Sequence, residues 1–144
     1  MPYKSLEISN ANAVNDQPVK TSQFYIGFSS QDPSNTSHKL FDIDLIKQDL
    51  LNQFSIRKGE RVMNPNFGTI IWDLIHEPLT SDTREALNSD IVNICNSDPR
   101  VKPLQIKLTE YPTGYIVEVT LLLNGTDQSY NIRLTFDQEI GLRV

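Results

Sequence analysis

Cysteine, histidine and tryptophan are scarce in this chain of 144 residues, with one Cys, two His and one Trp. The single Cys95 cannot close an internal disulfide or build a thiolate metal site, which fits synthesis in a reducing cytoplasm. His38 and His76 stand apart in the sequence, so neither a metal cluster nor a catalytic triad is expected from them. There is no GxSxG, HExxH, P-loop or dinucleotide-binding glycine pattern. Long apolar runs are also missing: Leu121-Leu122-Leu123 is far short of the roughly 20 residues of a membrane span. The opening residues MPYKSLEISNANAVND carry neither a basic segment followed by an apolar stretch nor a small-residue cleavage site, so no standard secretion signal is expected. Positive charge is in deficit, 13 Lys plus Arg against 18 Asp plus Glu, for a net charge of −5 and a pI near 4.9. Without a cluster of Lys and Arg interleaved with aromatics, nucleic acid is a poor first guess for a partner. No metal, cofactor, membrane or nucleic acid is expected.

What remains is an ordinary globular composition, 38% hydrophobic and 22% charged with a mean hydropathy of −0.35, enough for one domain with an arm. Residues 1–38 are polar and punctuated by Pro2, Pro18 and Pro33, and read as an extended N-terminal arm in which QFYIGF is the one segment able to pair as an edge strand or dock on a neighbour. Residues 39–144 read as the folded domain. Ile43, Ile46, Leu50 and Phe54 recur at helical spacing after Asp42, placed as N-cap, for a helix over about 42–54. A shaped loop follows, with Gly59, Pro65 and Gly68 at its turns. A short helix over about 69–76 stops at Pro78, and a third over about 81–97 carries Leu87, Ile91, Ile94 and Cys95 on its apolar stripe. The period then falls to two, with Leu104, Ile106 and Leu108 on one face, and strands are expected over about 104–111, 115–123 and 129–136. The fold class is α+β: three helices, then a three-stranded antiparallel β-meander.

Carboxylates are the only residues that could carry catalysis. A glycosidase needs two facing one sugar, one of them held protonated by an apolar pocket. Glu60, Asp73 and Glu77 can be nominated, yet Asp73 and Glu77 at i, i+4 suit a solvated helix edge, and Glu60 between Lys58 and Arg61 looks ionised. No catalytic residue is assigned and no enzyme activity is expected. Cys95 reads as a small buried hydrophobe and Trp72 as a core or interface anchor. In Asp98-Pro99-Arg100, by contrast, proline ends the preceding helix and presents Arg100 on a rigid backbone. Recognition of a partner and an intramolecular ion pair both suit that corner.

The order Arg57-Lys58-Gly59-Glu60-Arg61, Pro65-Asn66-Phe67-Gly68, Ile75-His76-Glu77-Pro78 and Asp98-Pro99-Arg100, followed by strands, resembles the baseplate wedge family of contractile phage tails and its counterpart in type VI secretion baseplates. The resemblance covers roughly residues 40–136, with Asp98 standing where the family usually has Glu. It implies a structural virion subunit, made in the host cytoplasm, whose sheet resembles the handshake domain of the sheath protein. It implies docking on the helical core bundle of larger wedge proteins, with Asp98, Pro99, Arg100, Glu60, Arg61 and Glu77 as partner-binding candidates, and tail tube or hub proteins as further partners. A meander has open edges that can accept a strand from another chain. The tail sheath protein is the partner this suggests, and Tyr130, Asn131, Ile132, Arg133, Leu134, Thr135 and Phe136 are the candidate template, which would make the chain a sheath initiator. The family has also carried a lysozyme-like label, so a peptidoglycan hydrolase is the alternative.

Overall fold

The computed structural model describes residues 25–29, 34 and 38–144. Strand β1 (Ile26–Phe28) pairs antiparallel with β2 (Lys39–Phe41) in a two-stranded sheet. Helices α1 (Asp42–Ser55), α2 (Ile71–Leu74) and α3 (Ser81–Ser97) follow. Strands β3 (Val101–Tyr111), β4 (Gly114–Leu123), β5 (Ser129–Asp137) and β6 (Gly141–Arg143) then make a four-stranded antiparallel sheet in that order. The architecture is mixed α+β with two sheets, which corrects the expectation of three helices followed by one three-stranded meander.

Short strands account for the difference, because three residues are too few to show a period of two. At the end of β5 the Asp137 carboxylate accepts the backbone N–H groups of Glu139 and Ile140 at 2.8 and 3.1 Å. Gly141, at φ +87, completes the reversal and lays Leu142 opposite Phe136. At the other end, Asp42 and Tyr25 exchange two bonds: Tyr25 N–H donates to the Asp42 carboxylate and Asp42 N–H to the Tyr25 carbonyl, both at 2.9 Å. That use of its side chain removes Asp42 from the N-cap role; Phe41 precedes the helix with no side-chain cap. The expected arm over residues 1–38 lies for the most part outside the described residues. Within them, Ile26, Gly27 and Phe28 pair with Phe41, Leu40 and Lys39.

The core lies between one face of the large sheet and the helices. Ile46, Leu50 and Phe54 of α1 and Leu87, Ile91, Ile94 and Cys95 of α3 are buried, as are Val117, Val119 and Leu121 of β4 and Ile132, Leu134 and Phe136 of β5. Each such side chain contributes roughly 1.5–3 kcal/mol relative to exposure. Phe136 receives Phe54 and Trp72 edge-on at 5.9 and 5.4 Å between ring centroids. The Trp72 indole N–H finds the Phe54 carbonyl at 2.8 Å. α3 starts on Thr80, whose hydroxyl accepts the Thr83 N–H. Along β3 the pairing passes from Pro103↔Leu121 to Gln105↔Thr120, a bulge that ejects Leu104 from the face it was expected to share with Ile106 and Leu108, leaving it 54% exposed.

Candidate functional site

The corner at the end of α3 is built from side chains distant in sequence. Ser97 Oγ closes on the Ile94 carbonyl, Asp98 caps the helix, and Pro99 sends the chain into β3. The Asp98 carboxylate accepts Arg100 N–H at 3.0 Å, Nε at 2.8 Å and Nη2 at 2.6 Å. Arg100 Nη2 also donates to Asp49 of α1 at 2.6 Å, and its guanidinium carbon stands 5.9 Å from the Tyr25 ring centroid. Asn124, in the β4–β5 turn, gives its backbone N–H to the Arg100 carbonyl and its amide to the Pro99 carbonyl. Burial alone would raise the Asp98 carboxyl, but the hydrogen bonds and charge of Arg100 outweigh it and hold Asp98 below the usual carboxylate range. Those same contacts raise the Arg100 guanidinium further. Arg100 is therefore braced inside the protein, with 22% of its side chain exposed.

The loop between α1 and α2 forms the opposite wall. It is pinned by Asp90, a buried acid on α3 that accepts the Lys58 ammonium at 3.1 Å, the Thr69 hydroxyl at 2.7 Å and the Ile70 N–H at 3.0 Å. Backbone bonds Lys58 N–H to Thr69 O and Thr69 N–H to Ile56 O zip its two ends together. Gly68 is required there: at φ +113, a Cβ would stand 2.6 Å from the Ile56 carbonyl oxygen. Glu60 accepts the Arg57 N–H, Arg57 pairs with Asp73, and Arg61 lies over the Phe67 ring at 4.3 Å. A groove of about 720 Å³ separates this loop from α1 and the corner, lined by Asp49, Asn52, Arg61, Asn64, Asp98 and Arg100 among others.

Asp98, Pro99, Arg100 and Arg61 thus share one groove. Glu77 does not. Its carbonyl, with that of Leu74, accepts the Tyr115 hydroxyl at the start of β4, whereas the corner is tied to Asn124 just past its end. Nine strand steps separate Tyr115 from Asn124, roughly 30 Å. The Glu60, Asp73 and Glu77 carboxylates are all exposed, none in the apolar pocket that a protonated acid needs. His76 is exposed, and burial, then the Asp98 charge, push the Cys95 thiol up to about 12. Among the described residues, no three His, Cys, Asp or Glu side chains are grouped to hold a metal. Sequence reading missed Asp49, Tyr25 and Asp90. Only Asp90 carried a signal, as an acid on the stripe of Leu87, Ile91 and Ile94.

The sheet edges differ. Leu123 N–H donates to the Gln128 carbonyl and Gln138 N–H to the Thr113 carbonyl, so even-numbered residues of β5 turn their backbone groups to β4. The odd ones, Asn131, Arg133 and Thr135, turn theirs to the other side. There β6 covers Thr135, paired with Arg143, while Asn131 and Arg133 lie beyond its reach. The edge expected to be free along the whole of Tyr130, Asn131, Ile132, Arg133, Leu134, Thr135 and Phe136 is covered at its end, from Thr135 on. On β3 the outward carbonyl of Leu108 is capped by Arg84 of α3 at 2.9 Å.

Compared with known proteins, residues 42–128 match the family model described as baseplate wedge protein gp25. A solved structure from Geobacter sulfurreducens, labelled a tail lysozyme, aligns with a TM-score of 0.52 at 18% identity, covering 64% of this chain and 90% of that one. At that identity the likeness is one of fold. No curated protein matches the chain.

Proposed function

Because the chain belongs to the baseplate wedge protein gp25 family, a family of structural phage-tail baseplate components that assemble with other baseplate proteins, we propose that it is a wedge subunit of a contractile phage tail that docks on a helical bundle of larger wedge proteins and initiates the sheath. The observation that carries the docking reading is the corner itself. Asp98 and Arg100 are held by α1, the helix stop and the β4–β5 turn at once, so the charges face the groove on a backbone that cannot move independently. Preorganised charged groups of this kind give geometric specificity to an interface. Glu60 acts in this reading by shaping the loop, and Glu77, at the far end of the sheet, belongs to a separate contact.

Sheath initiation rests on the part of β5 before Thr135, where Asn131 and Arg133 present outward backbone groups to an incoming strand. A type VI secretion or phage-tail-like particle would use the same surfaces. Co-expression of the full chain with the larger wedge proteins tests the docking reading: a stable complex is expected, weakened by Arg100→Ala. Addition of sheath protein to assembled baseplates tests the second role. A baseplate that forms fully without this chain and still starts sheath growth would sink both.

The hydrolase reading rests on the lysozyme-like label carried by the family and on the similar label of one fold neighbour, which describes that neighbour. Glu60, Asp73 and Glu77 are all exposed and offer it no carboxyl enclosed by apolar side chains.

A further inference from the structure

We propose that Asn124-Gly125, in the β4–β5 turn, is a site of spontaneous covalent modification, in which the asparagine side chain closes onto the glycine nitrogen and loses ammonia, and that the Pro99 corner guards it. The chemistry is the same whether or not the chain docks as proposed above.

The chain has one Asn-Gly step. Asparagine is a labile side chain because the nitrogen of the residue after it can attack its amide carbon. In that step a bond forms between Gly125 N and Asn124 Cγ while the bond from Cγ to Nδ2 breaks. The Gly125 proton passes through solvent to the departing ammonia, leaving a cyclic imide. One water then opens the ring at either carbonyl, giving aspartate or, with an extra methylene in the main chain, isoaspartate. No oxidant, metal or enzyme is required.

The tertiary structure selects which asparagine can react. A nitrogen whose hydrogen is held in a backbone bond must give up that bond before it can attack. Asn52, Asn88, Asn93 and Asn96 lie within α1 and α3, where the next N–H is bonded inside the helix. Asn64 precedes Pro65, which has no N–H. The N–H after Asn66 goes to the Asn64 carbonyl, and that after Asn131 turns to β4. In the β4–β5 turn, Asn124 N–H donates to the Arg100 carbonyl and Thr126 N–H to that of Leu123, while Gly125 N–H between them has no acceptor among the described residues. Gly125 is exposed, and a Cβ placed on it would meet nothing within 4 Å, so its nitrogen is open to solvent.

What restrains Asn124 is its own amide, which donates to the Pro99 carbonyl. Ring closure turns the amide toward Gly125 N and away from that acceptor, so the reaction runs through brief openings of the corner. Afterwards the donor is gone. Aspartate sets a carboxylate against the Pro99 carbonyl, and isoaspartate also lengthens the main chain within the turn. Each modified chain thus loses a tie between the turn and Asp98-Pro99-Arg100, and the corner that slowed the reaction is looser for having undergone it.

The test keeps the full chain at mildly alkaline pH, samples it over weeks, and maps its peptides by mass spectrometry with isoaspartate resolved by fragmentation. The peptide holding Asn124 should gain the mass difference between NH2 and OH several-fold faster than any other described asparagine. Arg100→Ala, or urea below the unfolding transition, should speed that conversion several-fold. Asn124→Asp should melt about 2–6 °C below the unaltered chain. On storage the unaltered chain should drift to a lower melting temperature as conversion proceeds, whereas Asn124→Gln, whose longer side chain closes a ring far more slowly, should hold whatever value it starts from. Conversion at Asn124 no faster than at the other described asparagines overturns the modification site. A rate unmoved by both Arg100→Ala and urea overturns the guarding role of the corner, and a converted chain that melts as the fresh one does overturns the loss of the tie.

Discussion

Arg100 of the helix–strand corner donates to Asp49 of α1 at 2.6 Å, a bond that spans 51 residues of sequence and ties the corner to the first helix. The same guanidinium is clamped by Asp98, whose side chain is only 11% exposed. Arg100→Ala leaves that carboxylate without its donors and should cost about 1–3 kcal/mol of stability besides weakening docking. Asp49, 46% exposed, contributes less: Asp49→Asn should change stability by under about 1 kcal/mol. Chemical denaturation of both variants, with a double-mutant cycle between positions 98 and 100, checks this. Absence of coupling would detach Asp98 from Arg100.

Asp90→Ala should be more damaging, by about 2–4 kcal/mol, because the Lys58 ammonium, the Thr69 hydroxyl and the Ile70 N–H all lose their acceptor. The loop around residues 60–66 should become the first site of proteolytic cleavage. Cleavage that begins elsewhere would show that other contacts hold the loop.

Two carboxyls make stability depend on acid. Asp98 lies below the usual range for the reason given above, and Asp137 is held at about 2, first by the Thr113 hydroxyl and then by the Glu139 N–H. A carboxyl whose folded pKa is depressed contributes stability above its unfolded pKa, about 3.9, and loses it as pH falls through the folded value. Denaturation should therefore vary little between about pH 6 and 5 from these groups and fall steeply below about pH 4. Asp98→Asn should be less stable at neutral pH and show a shallower acid decline. An unchanged slope in that variant would remove Asp98 as a contributor.

Proline substitutions along β5 separate its two backbone directions. Asn131→Pro and Arg133→Pro remove outward donors beyond β6 and should leave a folded chain that fails to start sheath growth on assembled baseplates. Ile132→Pro and Leu134→Pro break the ladder to β4 and should unfold it. Thr135→Pro behaves differently from its outward neighbours, since the donor it deletes faces β6, and should loosen Gly141–Arg143 with a smaller effect on sheath growth. If the outward variants still initiate sheath, β5 is not the template.

Peptidoglycan incubated with the pure chain should release no fragments, and the Glu77→Gln chain should behave the same. Turnover abolished by that one substitution would reverse the structural reading in favour of a hydrolase.

Much of the local architecture follows from the sequence by itself. The spacing of Ile46, Leu50 and Phe54, and of Leu87, Ile91 and Ile94, reports which helix faces are buried, since such patterns are properties of neighbouring residues. The order of the glycine loop, the Asp98-Pro99-Arg100 corner and the strands is likewise legible, and it is this order that resembles the family the chain belongs to. Only the tertiary structure decided the rest. Asp49 and Tyr25 meet Arg100 from far along the chain, and nothing in a local pattern ties an exposed helical aspartate to a distant arginine. The fourth strand and the β1–β2 pair are three residues each, too short for periodicity, and exist because Asp137 and Asp42 organise the backbone around them. Leu104 obeys the alternation in sequence and breaks it in space, because a bulge beside Pro103 depends on the partner strand. Which part of β5 stays open was decided in the same way, by β6 folding back onto Thr135, Phe136 and Asp137.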